Sequence, residues 1–212
     1  MKIVLFLLVI FLSVSCNKNI SNNSGDQEAT DIFPNKIGDS WVYLVNDTLV
    51  NRGSQDSPFV QYKLIVSVIK SIELPGGIKA NVWIYSSPTG IDTNYVIQTG
   101  DTIHFVDINQ SVYSTFAKQY IVPFQLHNSW PYSVPSFQNI TVDSVANITV
   151  EGHTYENAFH ISGNSGAPDA NYKIEEWIVN NVGVVKRYFN PEGMSIDPRH
   201  VISSVLVSYN LK

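Results

Sequence analysis

The sequence predicts an all-β domain built as a single antiparallel sheet of about 9–11 strands, strongly curved or partly closed and composed of two similar halves. Three observations lead there. Past residue 32 the chain breaks into short runs rich in Val, Ile, Thr, Tyr, Phe and Trp, each bounded by Gly, Pro, Asn or Asp. Charged residues make up only 15% of the chain and aromatic residues 12%, a balance that suits strands with uncharged polar faces better than solvated amphipathic helices. Beyond residue 14 no window carries a convincing 3.6-residue apolar period, although 111–120 allows one turn of helix.

The first 31 residues stand apart from this pattern. Lys2 precedes an unbroken apolar run at 3–12, and Ser13-Val14-Ser15 leads into Cys16, the only cysteine. A basic start, an apolar core and small residues at the end are the parts of a secretory signal. The run is short of the roughly 20 apolar residues a spanning helix needs, which weighs against the alternative that it stays in the membrane as an anchor. With a cysteine at the cleavage point, the segment resembles a bacterial lipoprotein signal, cut after Ser15 and acylated (palmitate) on Cys16, although Ser13 stands where that signal usually has Leu. The expected organisation is therefore 1–15 as signal peptide, 16–31 as lipidated cysteine and flexible tether, and 32–212 as one β-rich domain. The fifteen residues 17–31, a polar stretch without apolar periodicity, give the tether an end-to-end distance of roughly 20 Å. Acyl chains on Cys16, worth ~0.8 kcal/mol per buried CH₂, would hold the protein to membrane lipid without a spanning helix. Lipidation also uses up the only thiol, so the mature chain can form no internal disulfide and no cysteine metal site.

Each element follows from local chemistry. Residues 40–45 (SWVYLV) are aromatic and β-branched between Gly38-Asp39 and Asn46-Asp47. Runs 60–72 and 80–86 flank Pro75-Gly76-Gly77, a hairpin signal, and 95–97 and 103–106 flank Thr99-Gly100-Asp101. Later, 140–150 and 155–162 flank Glu151-Gly152-His153, and 174–179 and 182–189 flank Asn180-Asn181. Residues 201–211 form a last strand. The order suggests a duplication, because residues 34–45 can be laid on 123–134. Pro34, Ser40, Trp41, Tyr43 and Val45 then coincide with Pro123, Ser129, Trp130, Tyr132 and Val134, and Asp39 faces Asn128. Each copy is followed by a glycine-turn hairpin whose second strand starts at Asn81 or Asn157.

Two motifs invite catalytic readings. Gly38-Asp39-Ser40 and the terminal Asp197-Pro198-Arg199-His200 resemble the blocks of GDSL-type esterases, in which Ser40 would attack, His200 act as base and Asp197 orient it. That family is α/β, Trp41 replaces its Leu, and Asn128-Ser129-Trp130 repeats the local pattern as a strand entry would. A structural turn is therefore the favoured reading and the domain is expected to be non-catalytic. Gly163-Asn164-Ser165-Gly166 resembles a trypsin-like nucleophile loop but has no partner block upstream, so a hairpin loop is expected. His104, His127, His153, His160 and His200 show no metal-ligand spacing, and no metal or cofactor is expected. Glu175 and Glu176 should point to opposite faces of one strand and so cannot act as an acid–base pair. Trp41, Trp83, Trp130 and Trp177 sit inside strands, which favours core packing over ligand stacking. A net charge of −5 with no basic stripe argues against nucleic acid.

Taken together, Phe33-Pro34, Gly38, Trp41 and Tyr43 at the opening and Val182-Gly183-Val184-Val185-Lys186 at the close resemble uncharacterised Bacteroidota lipoproteins over about residues 33–210. Asn181 stands where that group has a glycine before the closing Val-Gly. The resemblance implies a cell-envelope location at the outer membrane, its face left open, and carries no catalytic residue. Gly183 would permit a positive φ or close backbone packing. A curved sheet lined by aromatics could bind an apolar or glycan ligand, and a structural or assembly role is the alternative. Neither the ligand-binding residues nor the oligomeric state can be read from the sequence.

Overall fold

Twelve strands, each antiparallel to its neighbours, form one sheet in the computed structural model, which describes residues 32–50, 58–107, 118–131, 139–164, 173–191 and 199–212. Cys16, the signal and the tether lie outside the described residues. In chain order the strands are β1 (Ser40–Val50), β2 (Phe59–Leu74), β3 (Ile78–Ser87), β4 (Gly90–Thr99), β5 (Thr102–Asp107) and β6 (Lys118–Ile121). The second half supplies β7 (Ser129–Pro131), β8 (Asn139–Val150), β9 (His153–Asn164), β10 (Lys173–Val179), β11 (Gly183–Asn190) and β12 (Arg199–Asn210). Their order across the sheet is β6-β5-β4-β3-β2-β1-β12-β11-β10-β9-β8-β7. Each half is a six-strand meander, and the two meanders are joined where β1 pairs with β12.

Twelve strands exceed the expected 9–11, and the additions are β6 and β7. At four and three residues they are too short to display alternation, and both are recognised only by their ladders. The helical turn suggested at 111–120 fails at its end, because 118–120 pair with β5, while 111–117 lie outside the described residues. β6 and β7 are the two ends of the sheet, and they meet through side chains. Gln119 Nε2 donates to Pro131 O at 2.6 Å, and Trp130 Nε1 donates to Gln119 O at 3.0 Å. The sheet is thereby nearly closed into a barrel.

The two halves match at their entries. Gly38 N donates to Val68 O (2.8 Å) and Val68 N to Asp39 O (2.9 Å); His127 N donates to Val142 O (2.8 Å) and Val142 N to Asn128 O (3.0 Å). Asp39 N reaches Lys36 O and Asn128 N reaches Gln125 O, each at 3.0 Å. Gly38 and His127 both take positive φ, 97° and 68°. A bulge follows Val68 in the β2–β3 ladder and Val142 in the β8–β9 ladder. These ladders oppose Val68 with Trp83 and Val142 with Ile161, so the second strands correspond two residues away from the expected Asn81–Asn157 match. Tyr132 and Val134 lie outside the described residues.

The predicted turns sit where glycine and asparagine place them. Glu151 and Gly152 both have positive φ (49° and 79°), the twist a two-residue hairpin turn requires. Asn181 adopts φ 62°, a left-handed conformation Asn tolerates, and so makes the turn without a glycine at that position. The interior is aromatic. Ile32 and Phe33 enter it from the segment before β1 and are 3% and 2% exposed. Phe33 lies against Trp83, Phe105 and Tyr120, with ring centroids 6.2, 6.0 and 5.3 Å away. Trp41 and Trp83 stack at 4.9 Å, a geometry worth about 0.5–1.5 kcal/mol beyond burial.

Candidate functional site

The opening and closing motifs of the sequence meet in space. Trp41 Nε1 donates to Val182 O at 2.7 Å, and Tyr43 Oη donates to Val184 O at 2.9 Å. Gly183 takes φ +93°, and a Cβ placed there would lie 3.6 Å from Trp41 Nε1. The positive φ and close packing expected of Gly183 are both present.

The residues of the esterase reading are not brought together. Ser40 pairs with Asn210 at one end of the β1–β12 ladder, and His200 pairs with Leu49 at the other. Nine residues of strand separate the two positions, about 30 Å at the usual rise. His200 Nδ1 is 2.8 Å from Asp47 Oδ1, and Asp197 lies outside the described residues. Asp39 has a structural task, as its carboxylate accepts Lys36 N–H (2.7 Å) and Lys212 N–H (2.8 Å) and so ties the entry of β1 to the chain's end. Gly163 opposes Ile140 and Ile174 inside β9, while Ser165 and Gly166 of the protease-like motif lie outside the described residues.

The histidines are dispersed. Burial lowers the pKa of His104, and His160 stacks on Trp177 at 4.6 Å with Asp143 3.8 Å away. Among the described residues no three His, Asp or Glu side chains converge as metal ligands. Glu175 and Glu176 do diverge: Glu175 pairs with Lys173 at 2.6 Å, whereas Glu176 is fully buried inside the barrel. Trp41, Trp83 and Trp130 belong to the core, and Trp177 packs against it as a partly buried residue. It has the opposite parity to Glu176 and is half-buried, with Lys186 Nζ 4.6 Å from its ring centroid.

A cavity opens inside the barrel between β1–β3 and β10–β12. Its inner part, about 80 Å³, is walled by Trp41, Trp83, Phe105, Tyr43 and Tyr85. A wider part of about 500 Å³ shares Leu64, Tyr85, Arg187 and Ser204 with it, and adds Tyr62, Asn94 and the exposed Asp92. Strand parity builds this wall: Arg187 opposes Ser204, Ser204 opposes Val45, and Val45 opposes Tyr62. Two of the core tryptophans therefore serve both readings considered for them, packing on each other and lining a cavity.

Three charged groups lie at the inner end. Glu176 and Arg187 are direct cross-strand partners, with Arg187 Nε 3.2 Å from Glu176 Oε1. Lys118 reaches across from β6, its Nζ 3.9 Å from the same oxygen. Tyr120 Oη donates to Glu176 Oε2 at 2.6 Å and accepts from Lys118 Nζ at 2.9 Å. Lys118 Nζ also lies 4.6 Å from the Phe105 ring centroid. Burying a carboxylate costs several kcal/mol unless its lone pairs are occupied, and these contacts occupy both oxygens of Glu176. Burial brings the Lys118 ammonium down to about 8, a shift that Glu176 only partly opposes. Burial also pushes Tyr85 up to about 12 and Tyr43 far above the ordinary phenol range.

Sequence reasoning missed Lys118, Glu176 and Arg187 as members of one site. A signal was present for two of them. Glu176 shares parity with Ile174 and Ile178, and Arg187 shares parity with Phe189, so each places a charge in an inward register.

No protein-family model matches the chain, and no curated protein matches it in sequence. Among solved structures, a protein from Bacteroides fragilis NCTC 9343, described as exported by inference and as having a YmcC-like fold, is similar over 84% of this chain and 98% of its own. It is 11% identical with a TM-score of 0.38. A protein from Parabacteroides distasonis ATCC 8503, inferred to be a lipoprotein, is similar over 84% of this chain and 97% of its own, at 14% identity and a TM-score of 0.35. Likeness at this distance assigns no role to any residue here.

Proposed function

We propose that this chain is a cell-envelope lipoprotein held to the outer membrane by acylated Cys16, whose β domain is a non-catalytic binding module for a small amphiphilic molecule. The observation that carries the binding reading is the aromatic cavity inside the barrel, which leads from a narrow inner end to a wider polar and apolar part. Ligand sites are characteristically concave, largely apolar and supplied with a few convergent polar groups. The anchoring reading rests on the apolar run ending at Cys16 and the polar stretch that follows it.

Two experiments test the two parts. Labelled palmitate should mark the wild-type protein and leave Cys16→Ser unmarked; a labelled Cys16→Ser protein overturns the anchor. For the cavity, the protein is purified from its membrane and examined by native mass spectrometry. The wild type should carry a non-covalent small-molecule adduct that Leu64→Trp lacks, because Leu64 lines both parts of the cavity. Identical adduct patterns in the two proteins would remove the binding reading and favour the structural role.

A further inference from the structure

Building on the cavity as a ligand site, we propose that its ligand carries a single carboxylate, which enters first and seats between Lys118 and Arg187, leaving the rest of the molecule in the wider part. Charge and size argue for this. Among the described residues lining the inner cavity there are two cations and one carboxylate, Lys118, Arg187 and Glu176. Both cations face the same oxygen, Glu176 Oε1, at 3.9 and 3.2 Å, while Oε2 is engaged by Tyr120. At 3.9 Å the Lys118 ammonium is outside hydrogen-bond distance of Glu176; it donates to the neutral Tyr120 Oη at 2.9 Å and lies against the ring of Phe105. A surplus positive charge in an aromatic recess, where the Lys118 side chain is only 17% exposed, attracts an anion more strongly than it would in water.

Counted over the described lining residues, the surplus is one unit, which fits a monoanion. A dianionic phosphate would leave a net negative charge beside Glu176. The inner volume of about 80 Å³ accommodates a carboxylate with a few carbons, since one water needs roughly 10–15 Å³ of such space. The wider part, about 500 Å³, takes the remainder. Asp92 lies in that wider part, where it repels a second anionic group and favours insertion with the carboxylate first. The body of the ligand meets Tyr62, Leu64 and Phe189 together with Ser87, Thr89 and Asn94, surfaces that serve an acyl chain or a sugar ring. Carboxylate recognition is common to both sources.

The test uses the acylated protein in phosphatidylcholine nanodiscs and equilibrium dialysis with four labelled probes: hexanoate, hexanol, glucuronate and glucose. The expected result is that one acid binds at least about tenfold more tightly than its neutral counterpart, and which pair shows this identifies an acyl or an acidic-sugar ligand. Lys118→Met and Arg187→Met should each remove that preference. A measurement without variants covers the case in which these fail to fold. Acid binding should weaken as pH rises through the Lys118 titration; the ionisable groups packed around that amine are Glu176, Arg187 and Tyr120, with Tyr43 and Tyr85 lining the same cavity. Equal binding of acid and alcohol in either pair, together with no acid preference in the other, overturns the carboxylate proposal and leaves the cavity a ligand site. No binding of any probe overturns both.

Discussion

Replacing Trp41 by Phe separates the indole N–H from the ring that carries it. The phenyl group keeps an aromatic surface against Trp83, but Val182 O loses the donor now 2.7 Å away. An acceptor shielded from water and left without its partner costs about 1–3 kcal/mol, and Val182 is half-buried. The smaller ring adds roughly 1 kcal/mol of unfilled volume. The expected loss is therefore about 2–4 kcal/mol, a large share of the roughly 5–15 kcal/mol that stabilises a domain. Urea unfolding followed by far-ultraviolet circular dichroism reads this directly. With a slope near 2 kcal/mol per molar, the midpoint should fall by about 1–2 M with the slope unchanged. Trp130→Phe provides the matched case, since Trp130 Nε1 donates to Gln119 O at 3.0 Å in the second half and holds the closing edge of the sheet. Trp177→Phe is the control, because that ring is half-buried on the opposite parity to Glu176 and should cost less than about 1 kcal/mol. If Trp41→Phe lost under 0.5 kcal/mol, or if all three substitutions shifted the midpoint equally, the indole-to-carbonyl account of the motif would be wrong.

Other outcomes follow from neighbouring geometry. Gly183→Ala should lose about 1–2 kcal/mol in the same urea assay, because φ +93° is unfavourable for an L side chain, whereas Asn181→Gly should change stability by less than about 1 kcal/mol. Asp39→Ala leaves the Lys36 and Lys212 N–H groups without their acceptor and should cost about 1–2 kcal/mol, while Ser40→Ala should stay within about 0.5 kcal/mol. Lys118 gives a pH dependence whose sign is set by its lowered folded-state pKa. Between about pH 8 and 10 the unfolded chain holds more protons on this lysine than the folded one, so its contribution makes stability rise with pH. Above the ordinary phenol value of about 10, the raised Tyr43 and Tyr85 act in the opposite sense, because the unfolded chain ionises first. Stability of the wild type relative to Lys118→Met, measured at pH 7.5 and 9.5, should therefore increase between the two; a flat or falling difference refutes the assignment.

Much of the sheet was legible because local chemistry and global pairing agree. The turns at Gly76-Gly77, Gly100, Gly152 and Asn181 each need a positive φ, and each stands between runs whose alternation fixes a register. β6 and β7 escaped because three or four residues cannot display a period of two, and what defines them is a ladder to β5 or β8. The two-residue offset between the repeated hairpins escaped for a similar reason. The bulges after Val68 and Val142 share a position relative to the entry hydrogen bonds of the two halves, but the match of Asn81 with Asn157 followed residue identity and not pairing.

The candidate site shows where local reading stops. Glu176 and Arg187 are adjacent across one hairpin, and their inward parity was available to anyone who asked which charges fall in register with Ile174 and Phe189. Lys118 is different. Its strand is the first in the sheet order and β10 the ninth, so no chain of neighbouring ladders brings Lys118 to Glu176. Only curvature of the whole sheet does that, and the curvature is held at the β6–β7 seam by Gln119 and Trp130. The residue beside Lys118 thus fastens the barrel while Lys118 faces its interior. Loosening the seam should consequently disturb the charge cluster as well as stability. Trp130→Phe, although its ring does not line the inner cavity, is expected to move the Lys118 titration towards the ordinary lysine value by readmitting water; an unchanged titration in a destabilised Trp130→Phe protein would show that the burial of Lys118 does not depend on the seam.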